Sequence, residues 1–344
     1  MSEENIARLS AFLGKRNGGA GPVTIHDYTP ITGGYSRAMS RFWAQDANGR
    51  KGYVMRADPP PGQSILDTDR TYEWELLTAL DGEGSVRIPK PLWFDPTGAE
   101  LGSPAFISEN LECDSLHMLT QKGTRDSNRQ YARPPAEIIA SVHNFPLDRL
   151  PAGVRRPASW SDYLDECIAS WRTAEAAHAE HEPFLRVVAA WLDAHRPPET
   201  SLRLVHGDFQ GPNVLVQHGT GNYHMIDWEL AHVGDPREDL GWWVLAHLSM
   251  PPDAIDDDKD SFLAHYRELT GLSEEVVNPA TIAYFTVQSS AGVFFNLIKM
   301  TARIANGETM GSSVAYMTNA MPFMHSTWIT SMRLAGHWTK ENAR

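Results

Sequence analysis

Apolar positions recur along this chain in two rhythms, and the rhythm changes after Ser108. Ile6, Leu9, Phe12 and Leu13 fall at helical spacing, so residues 6–13 are read as a short amphipathic helix. A basic, glycine-rich loop over 14–21 follows. Strand-like stretches then flank residues 31–37, the second running from Ala38 to Gln45, and Asn48-Gly49 predicts a hairpin turn into a strand over 52–56. Asp58-Pro59-Pro60-Pro61-Gly62 ends that strand, because proline cannot donate to a ladder. Tyr72, Leu76, Leu77 and Leu80 predict a helix over 69–80, and 89–94 and 104–108 read as two more strands.

Beyond Ser108 the pattern is helical. Residues 136–143, 160–180 and 184–194 are predicted helices, and the last is closed by Pro197-Pro198. Two apolar runs at 204–205 and 214–216 flank a polar loop, and a further short strand over 223–226 leads to Asp227-Trp228-Glu229. Gly234-Asp235-Pro236 reads as a turn, a helix opens at Arg237, and the chain from Ser261 onward is helical in pattern. Tyr284, Phe285, Phe294 and Phe295 sit at helical spacing and are read as core. His143 ends its helix and is read as a packed structural residue.

Composition narrows the class. At 344 residues, with 42% hydrophobic and 21% charged positions, the chain is long enough for one bilobal unit or two domains. There are 43 acidic against 30 basic residues, a net charge of −13, which argues against a nucleic-acid partner held by phosphate contacts. Two cysteines, Cys113 and Cys167, form no disulfide framework and read as reduced thiols of a cytoplasmic protein. The acidic start, Ser2-Glu3-Glu4-Asn5, lacks a signal-peptide layout, and no apolar run is long enough to cross a membrane.

The candidate chemistry lies in His206-Gly207-Asp208-Phe209-Gln210-Gly211-Pro212-Asn213, whose acid and amide have the separation found in a kinase catalytic loop. Asp208 is the candidate base, orienting the attacking hydroxyl and accepting its proton; Asn213 and Asp227 are the candidate magnesium ligands. Taken alone, Gly-Asp is ordinary turn chemistry; the full order of strand, loop, strand and later acid is what carries the reading. Upstream, Gly33 and Gly34 would admit phosphates close to the backbone, with Ser36 as a donor. Arg56 stands where a protein kinase has its strand lysine and offers a fixed donor fork for phosphate oxygens. Glu73, in preference to Glu75, would hold that cation. Backbone groups of Glu109 and Leu111, at the change of rhythm, would meet the edge of an adenine or guanine. Asp239, near a helix start, is expected to brace the catalytic loop from behind rather than act as a plain cap.

Residues 204–240 resemble the aminoglycoside phosphotransferase/choline kinase-like family, through His-Gly-Asp, four residues, Asn, and the later Ile226-Asp227-Trp228-Glu229. The run from Asp227 through Gly234-Asp235-Pro236 to Asp239-Leu240, with Arg56 and Pro59-Pro60-Pro61-Gly62, resembles more particularly the phosphotransferase domains attached to acyl-CoA dehydrogenases. The resemblance implies a bilobal α+β protein-kinase-like fold, with a small β-rich N-lobe over 1–108 and a larger, mainly helical C-lobe over 109–344. It also implies a structural role for His206, and Mg2+ with ATP or GTP as phosphoryl donor. The expected partner is a small molecule bearing a hydroxyl. Aminoglycosides, hydroxy acids, acyl thioesters and other alcohols all stay open. A regulator with the same fold and reduced catalysis is the rival reading, suggested by Arg56 in place of lysine and by the irregular glycine turn.

Overall fold

The computed structural model describes residues 3–19, 21–31, 38–58, 70–180, 182–248, 259–292, 294–295, 297–298, 307 and 313–341. Two compact units emerge: Met1–Asp114 with Asp148–Val154 and Leu215–Leu230, and Ser115–Leu147 with Arg155–Val214 and Ala231–Arg344.

In the first unit, helix α1 (Glu3–Gly14) buries Leu9, Phe12 and Leu13 against Val23, Phe42 and Ile107. Five antiparallel strands form the sheet: β1 (Thr24–Ile31), β2 (Ala38–Asp46), β3 (Gly49–Ala57), β4 (Pro91–Asp95) and β5 (Ala105–Glu109), in the order β1-β2-β3-β5-β4. The predicted hairpin joins β2 to β3, and its turn is pinned where Asp46 Oδ1 accepts the Asn48 N–H at 2.8 Å. Along β2, Ser40, Phe42 and Ala44 are buried while Arg41 is exposed, the period-two alternation of a half-buried strand. Helix α2 (Arg70–Glu83) buries Glu73, Leu76, Leu77 and Leu80, the i, i+3, i+4, i+7 stripe. Glu73 therefore faces inward with the leucines, while Glu75 is exposed.

A smaller sheet holds β6 (Cys113–Ser115), β8 (Val214–Gln217) and β9 (Tyr223–Met225), in the order β6-β8-β9. Met225 N–H donates to Arg87 O at 2.9 Å, and His218 N–H to Glu112 O at 2.8 Å. These bonds fix residues 215–230, and so Asp227, to the first unit.

The second unit is helical. It comprises α3 (Leu116–Lys122), α4 (Arg125–Asn128), α5 (Pro134–His143), α6 (Trp160–His178), α7 (Phe184–Ala194), α8 (Arg237–Leu248), α9 (Lys259–Thr270), α10 (Pro279–Ser289) and α11 (Ser313–Glu341). Helices α6 and α10 start on polar caps, Ser159 and Asn278, which accept first-turn N–H groups. Their apolar faces meet α7 and α11 in an aromatic core, where Trp171 stacks on Phe294 at 6.1 Å and meets Trp328 edge-on at 5.5 Å. Tyr284, Phe285 and Phe294 are buried in it, as their spacing predicts, and Phe295 packs against it. Helix α8 lies tight on α10: a Cβ on Gly241 would come within 2.4 Å of the Phe285 carbonyl carbon.

One short pair of strands carries the loop from His206 to Asn213. Strand β7 (Arg203–Val205) runs antiparallel to β10 (His232–Gly234), with Leu204 opposite Val233. The sequence reading took Gly234 as the first residue of a turn; it is the last residue of β10, paired with Arg203, and the turn starts at Asp235. Three residues are too few for periodicity to register a strand.

The cysteines are free; burial pushes the Cys113 thiol up and that of Cys167 up to about 12, which disfavours the thiolate form of both. Among the described residues, no helix is long and apolar enough to cross a membrane.

Candidate active site

In the second unit, the loop between β7 and β8 is held at both ends. Gly207 has φ of 80°, a conformation that favours glycine, and this turns the chain so that Asp208 leaves the strand direction. Asp239, fully buried on α8, accepts the N–H of His206 at 2.8 Å and that of Gly207 at 2.9 Å. Its remaining partner is His143, whose Nε2 donates to Oδ2 at 2.9 Å while Nδ1 meets the Tyr266 hydroxyl at 2.6 Å. Burial alone would raise the Asp239 carboxyl. The His143 hydrogen bond and the field of His143 and His206 outweigh it, and the group lies below its ordinary value. A depressed carboxylate stabilises the fold above its unfolded pKa and loses that contribution as pH falls through the folded value. Asp239 thus braces the loop as expected, and His143 is its buried partner.

Within the loop, His206 Nδ1 accepts the Asp208 N–H at 3.2 Å. Among the described residues, three N–H groups donate to the Asp208 carboxylate. Gln210 Nε2 and Trp242 Nε1 both donate to Oδ1 at 2.7 Å, and Asn213 Nδ2 donates to Oδ2 at 2.7 Å. Asn213 Nδ2 also donates to the Asp208 carbonyl at 2.9 Å. The amide nitrogen of Asn213 is therefore committed to Asp208, and its Oδ1 is the end suited to a hard cation.

In the first unit, Arg56 lies on β3 with its guanidinium among three carboxylates: Glu73 at 3.3 Å, Asp227 at 2.5 Å and Glu229 at 3.2 Å. Arg70 holds the other side of Glu73 at 2.9 Å and reaches Asp58 at 2.6 Å. Burial pulls the Arg56 guanidinium down, but Glu73, Asp227 and Glu229 prevail, and the net shift is upward. Burial pushes the Glu73 carboxyl up, with Arg56 and Arg70 opposing. Among the described residues, two guanidinium groups here meet four carboxylates. Asp227 has φ of 70°, a left-handed conformation uncommon outside glycine and concentrated at functional positions.

Of the residues proposed from sequence, the structure brings Arg56, Glu73 and Asp227 together in the first unit, and Asp208 and Asn213 in the second. Glu109 ends β5, its N–H donating to Lys90 O at 3.0 Å and its Oε1 accepting the Lys90 N–H at 2.9 Å. Asn110 N–H donates to Gly52 O at 3.1 Å, and Leu111 follows, half-buried. Gly33, Gly34 and Ser36 lie outside the described residues, as does Pro59-Pro60-Pro61-Gly62. Sequence reasoning missed four participants: Glu229, Arg70, Gln210 and Trp242. Arg70 had a signal, since it sits three residues before Glu73 on one helix face, and so did Trp242, three residues after Asp239.

A paired acid–amide loop in a helical unit, and, in a unit built on a small antiparallel sheet, a buried strand cation held by a helix carboxylate, are features of a kinase-type protein. The chain belongs to the APH phosphotransferase enzyme family, whose model matches residues 27–292. The fold is that of kinase-like solved structures. A thermostable mutant of aminoglycoside phosphotransferase APH(4)-Ia, solved with ADP and hygromycin B, superposes with a TM-score of 0.63 at 17% identity, covering 94% of this chain and 98% of that one. A choline/ethanolamine kinase family protein from Mesorhizobium loti superposes at 0.61 with 14% identity, over 96% and 97%. In sequence, human acyl-CoA dehydrogenase family member 11 is 23% identical over 246 residues, covering 70% of this chain and 30% of that protein. Mouse family member 10 is 24% identical over 192 residues, covering 54% of this chain and 18% of that protein. This chain thus spans less than a third of the length of those relatives. Family and fold together support small-molecule phosphotransfer.

Proposed function

We propose that this chain transfers the γ-phosphoryl group of ATP, or of GTP, to a hydroxyl of a small molecule, with Asp208 as base. The observation that carries the reading is the bond between Asn213 Nδ2 and Asp208: it makes a base and a metal-binding amide one rigid unit. Asn213 Oδ1 and Asp227 are hard oxygen donors of the kind magnesium takes alongside nucleotide phosphates. Bound Mg2+ would supply charge neutralisation on those phosphates. Arg56, kept oriented by Glu73, offers its guanidinium to phosphate oxygens. The Glu109 carbonyl and the Leu111 N–H receive the base edge. Asp208 aligns the acceptor hydroxyl and takes its proton as the new P–O bond forms, the bond between the β-γ bridging oxygen and the γ-phosphorus breaks, and the nucleoside diphosphate leaves. Positioning and fixed charge supply most of the rate gain.

The names of the longer relatives make a hydroxylated acyl thioester one acceptor class to test, beside hydroxy acids, choline-like alcohols and aminoglycosides. Calorimetric titration with ATP tests the metal role. Binding should weaken by about tenfold or more when EDTA removes magnesium, and Asp227→Asn should bind Mg·ATP as weakly as the wild type binds metal-free ATP. Equal affinity with and without the metal would remove Asp227 from its assigned role.

A further inference from the structure

We infer that Trp242 is a positioning residue for the base, clamping one oxygen of Asp208 so that the other receives the proton. The inference rests on the assignment of Asp208 proposed above. Helix α8 presents Asp239 and Trp242 three residues apart, on one face. Asp239 takes the loop's backbone N–H groups, and the Trp242 indole N–H takes Asp208 Oδ1 at 2.7 Å. One helical turn therefore holds both the loop's path and the rotation of its carboxylate. Gln210 donates to the same oxygen at 2.7 Å, so two N–H groups occupy the two acceptor directions of Oδ1. Oδ2, which takes one N–H from Asn213 at 2.7 Å, is assigned as the reacting oxygen. Gln210 and Asn213 lie on the same loop as the base and would follow its motion. The indole is anchored elsewhere: Trp242 packs, half-buried, against the aromatic core of the helical unit. It is a rigid donor with few rotatable bonds, suited to preorganising a base.

The test uses Mg·ATP with water as the acceptor, read as ADP release, in wild type, Trp242→Phe, Asp208→Ala and the double variant. Phenylalanine keeps the ring and removes the N–H. The expected result is a fall in kcat of about tenfold in Trp242→Phe, with KM for ATP and Tm held. No further fall is expected when the change is added to Asp208→Ala, because the indole acts only through that carboxylate. A fall of equal size in the Asp208→Ala background, or a loss that tracks Tm, would make Trp242 a packing residue and overturn the inference. Full activity of Trp242→Phe beside a dead Asp208→Ala overturns it too, leaving the base intact. Full activity of Asp208→Ala overturns the base itself, and the inference with it. If Trp242→Phe does not fold, the indole N–H resonance serves: hydrogen-bonded to a carboxylate it lies downfield, and it should move upfield in Asp208→Ala. An unmoved resonance would again overturn the inference.

Discussion

Replacing Asp208 with alanine should cut turnover by about 10³- to 10⁴-fold on any acceptor, the range associated with loss of a positioned general base, and leave Mg·ATP affinity within about threefold. Alanine removes the carboxylate but asks nothing of Trp242, Gln210 or Asn213 beyond losing a partner. Asparagine at the same position behaves differently. Its oxygen would sit where Trp242 and Gln210 both donate, and its NH2 would then meet Asn213 Nδ2, a donor facing a donor. Asn213 relieves this by rotating its amide, which turns Oδ1 away from the cation. Asp208→Asn should therefore lose magnesium affinity as well as turnover, while Asp208→Ala loses turnover alone. Magnesium titrations of nucleotide binding separate the two variants, and identical metal affinities would contradict the shared Asp208–Asn213 unit.

The largest stability effect is expected at Arg237, at the start of α8. Its side chain is fully buried and grips Asp235 through two parallel hydrogen bonds, Nε to Oδ1 at 2.9 Å and Nη2 to Oδ2 at 2.6 Å. Nη1 donates to Val276 O at 3.2 Å, Nη2 to Pro198 O at 2.7 Å, and the guanidinium lies 5.0 Å from the Phe285 ring centroid. Asp235 also accepts the Trp160 indole N–H at 2.7 Å. Arg237→Leu leaves a buried carboxylate with reduced compensation and strips two carbonyls of donors. Removing one partner of such a pair costs about 3–5 kcal/mol, lowering Tm by on the order of 10 °C. Adding Asp235→Asn should recover part of that loss by discharging the stranded carboxylate. Thermal melts and urea titrations of both variants check this; a loss under about 1 kcal/mol would mean that water reaches the site.

The candidate catalytic segment was legible because its residues are local. His206 to Asn213 lies in one loop, so the spacing of acid and amide survives in one dimension. Glu73 was chosen because a kinase-like lobe needs a helix carboxylate for its cation; the structure places it on the leucine stripe of α2, where a buried acid needs such a partner. The arginine cluster was only half readable. Arg56 and Glu73 follow from the order of elements, but Glu229 comes from a stretch more than a hundred residues away, tied to the first unit by backbone bonds from Met225 and His218 that leave no periodic trace. Glu229 is an arginine partner. Trp242 shares a helix face with Asp239, but so many aromatic residues pack the core that this signal was faint, and the direction of its indole nitrogen is what sets it apart. Strand β10 escaped because three residues cannot show alternation.

The most direct measurement of the central claim follows a labelled γ-phosphoryl group. The chain is incubated with γ-labelled ATP, magnesium and a panel of hydroxyacyl thioesters, hydroxy acids, choline-like alcohols and aminoglycosides, and products are separated by mass. The account predicts label on a hydroxyl oxygen of at least one acceptor, with matching ADP, abolished by EDTA and by Asp208→Ala. Label that stays on ATP across the whole panel, with nucleotide bound and Asp208→Ala indistinguishable from wild type, would contradict it and favour a nucleotide-binding regulator.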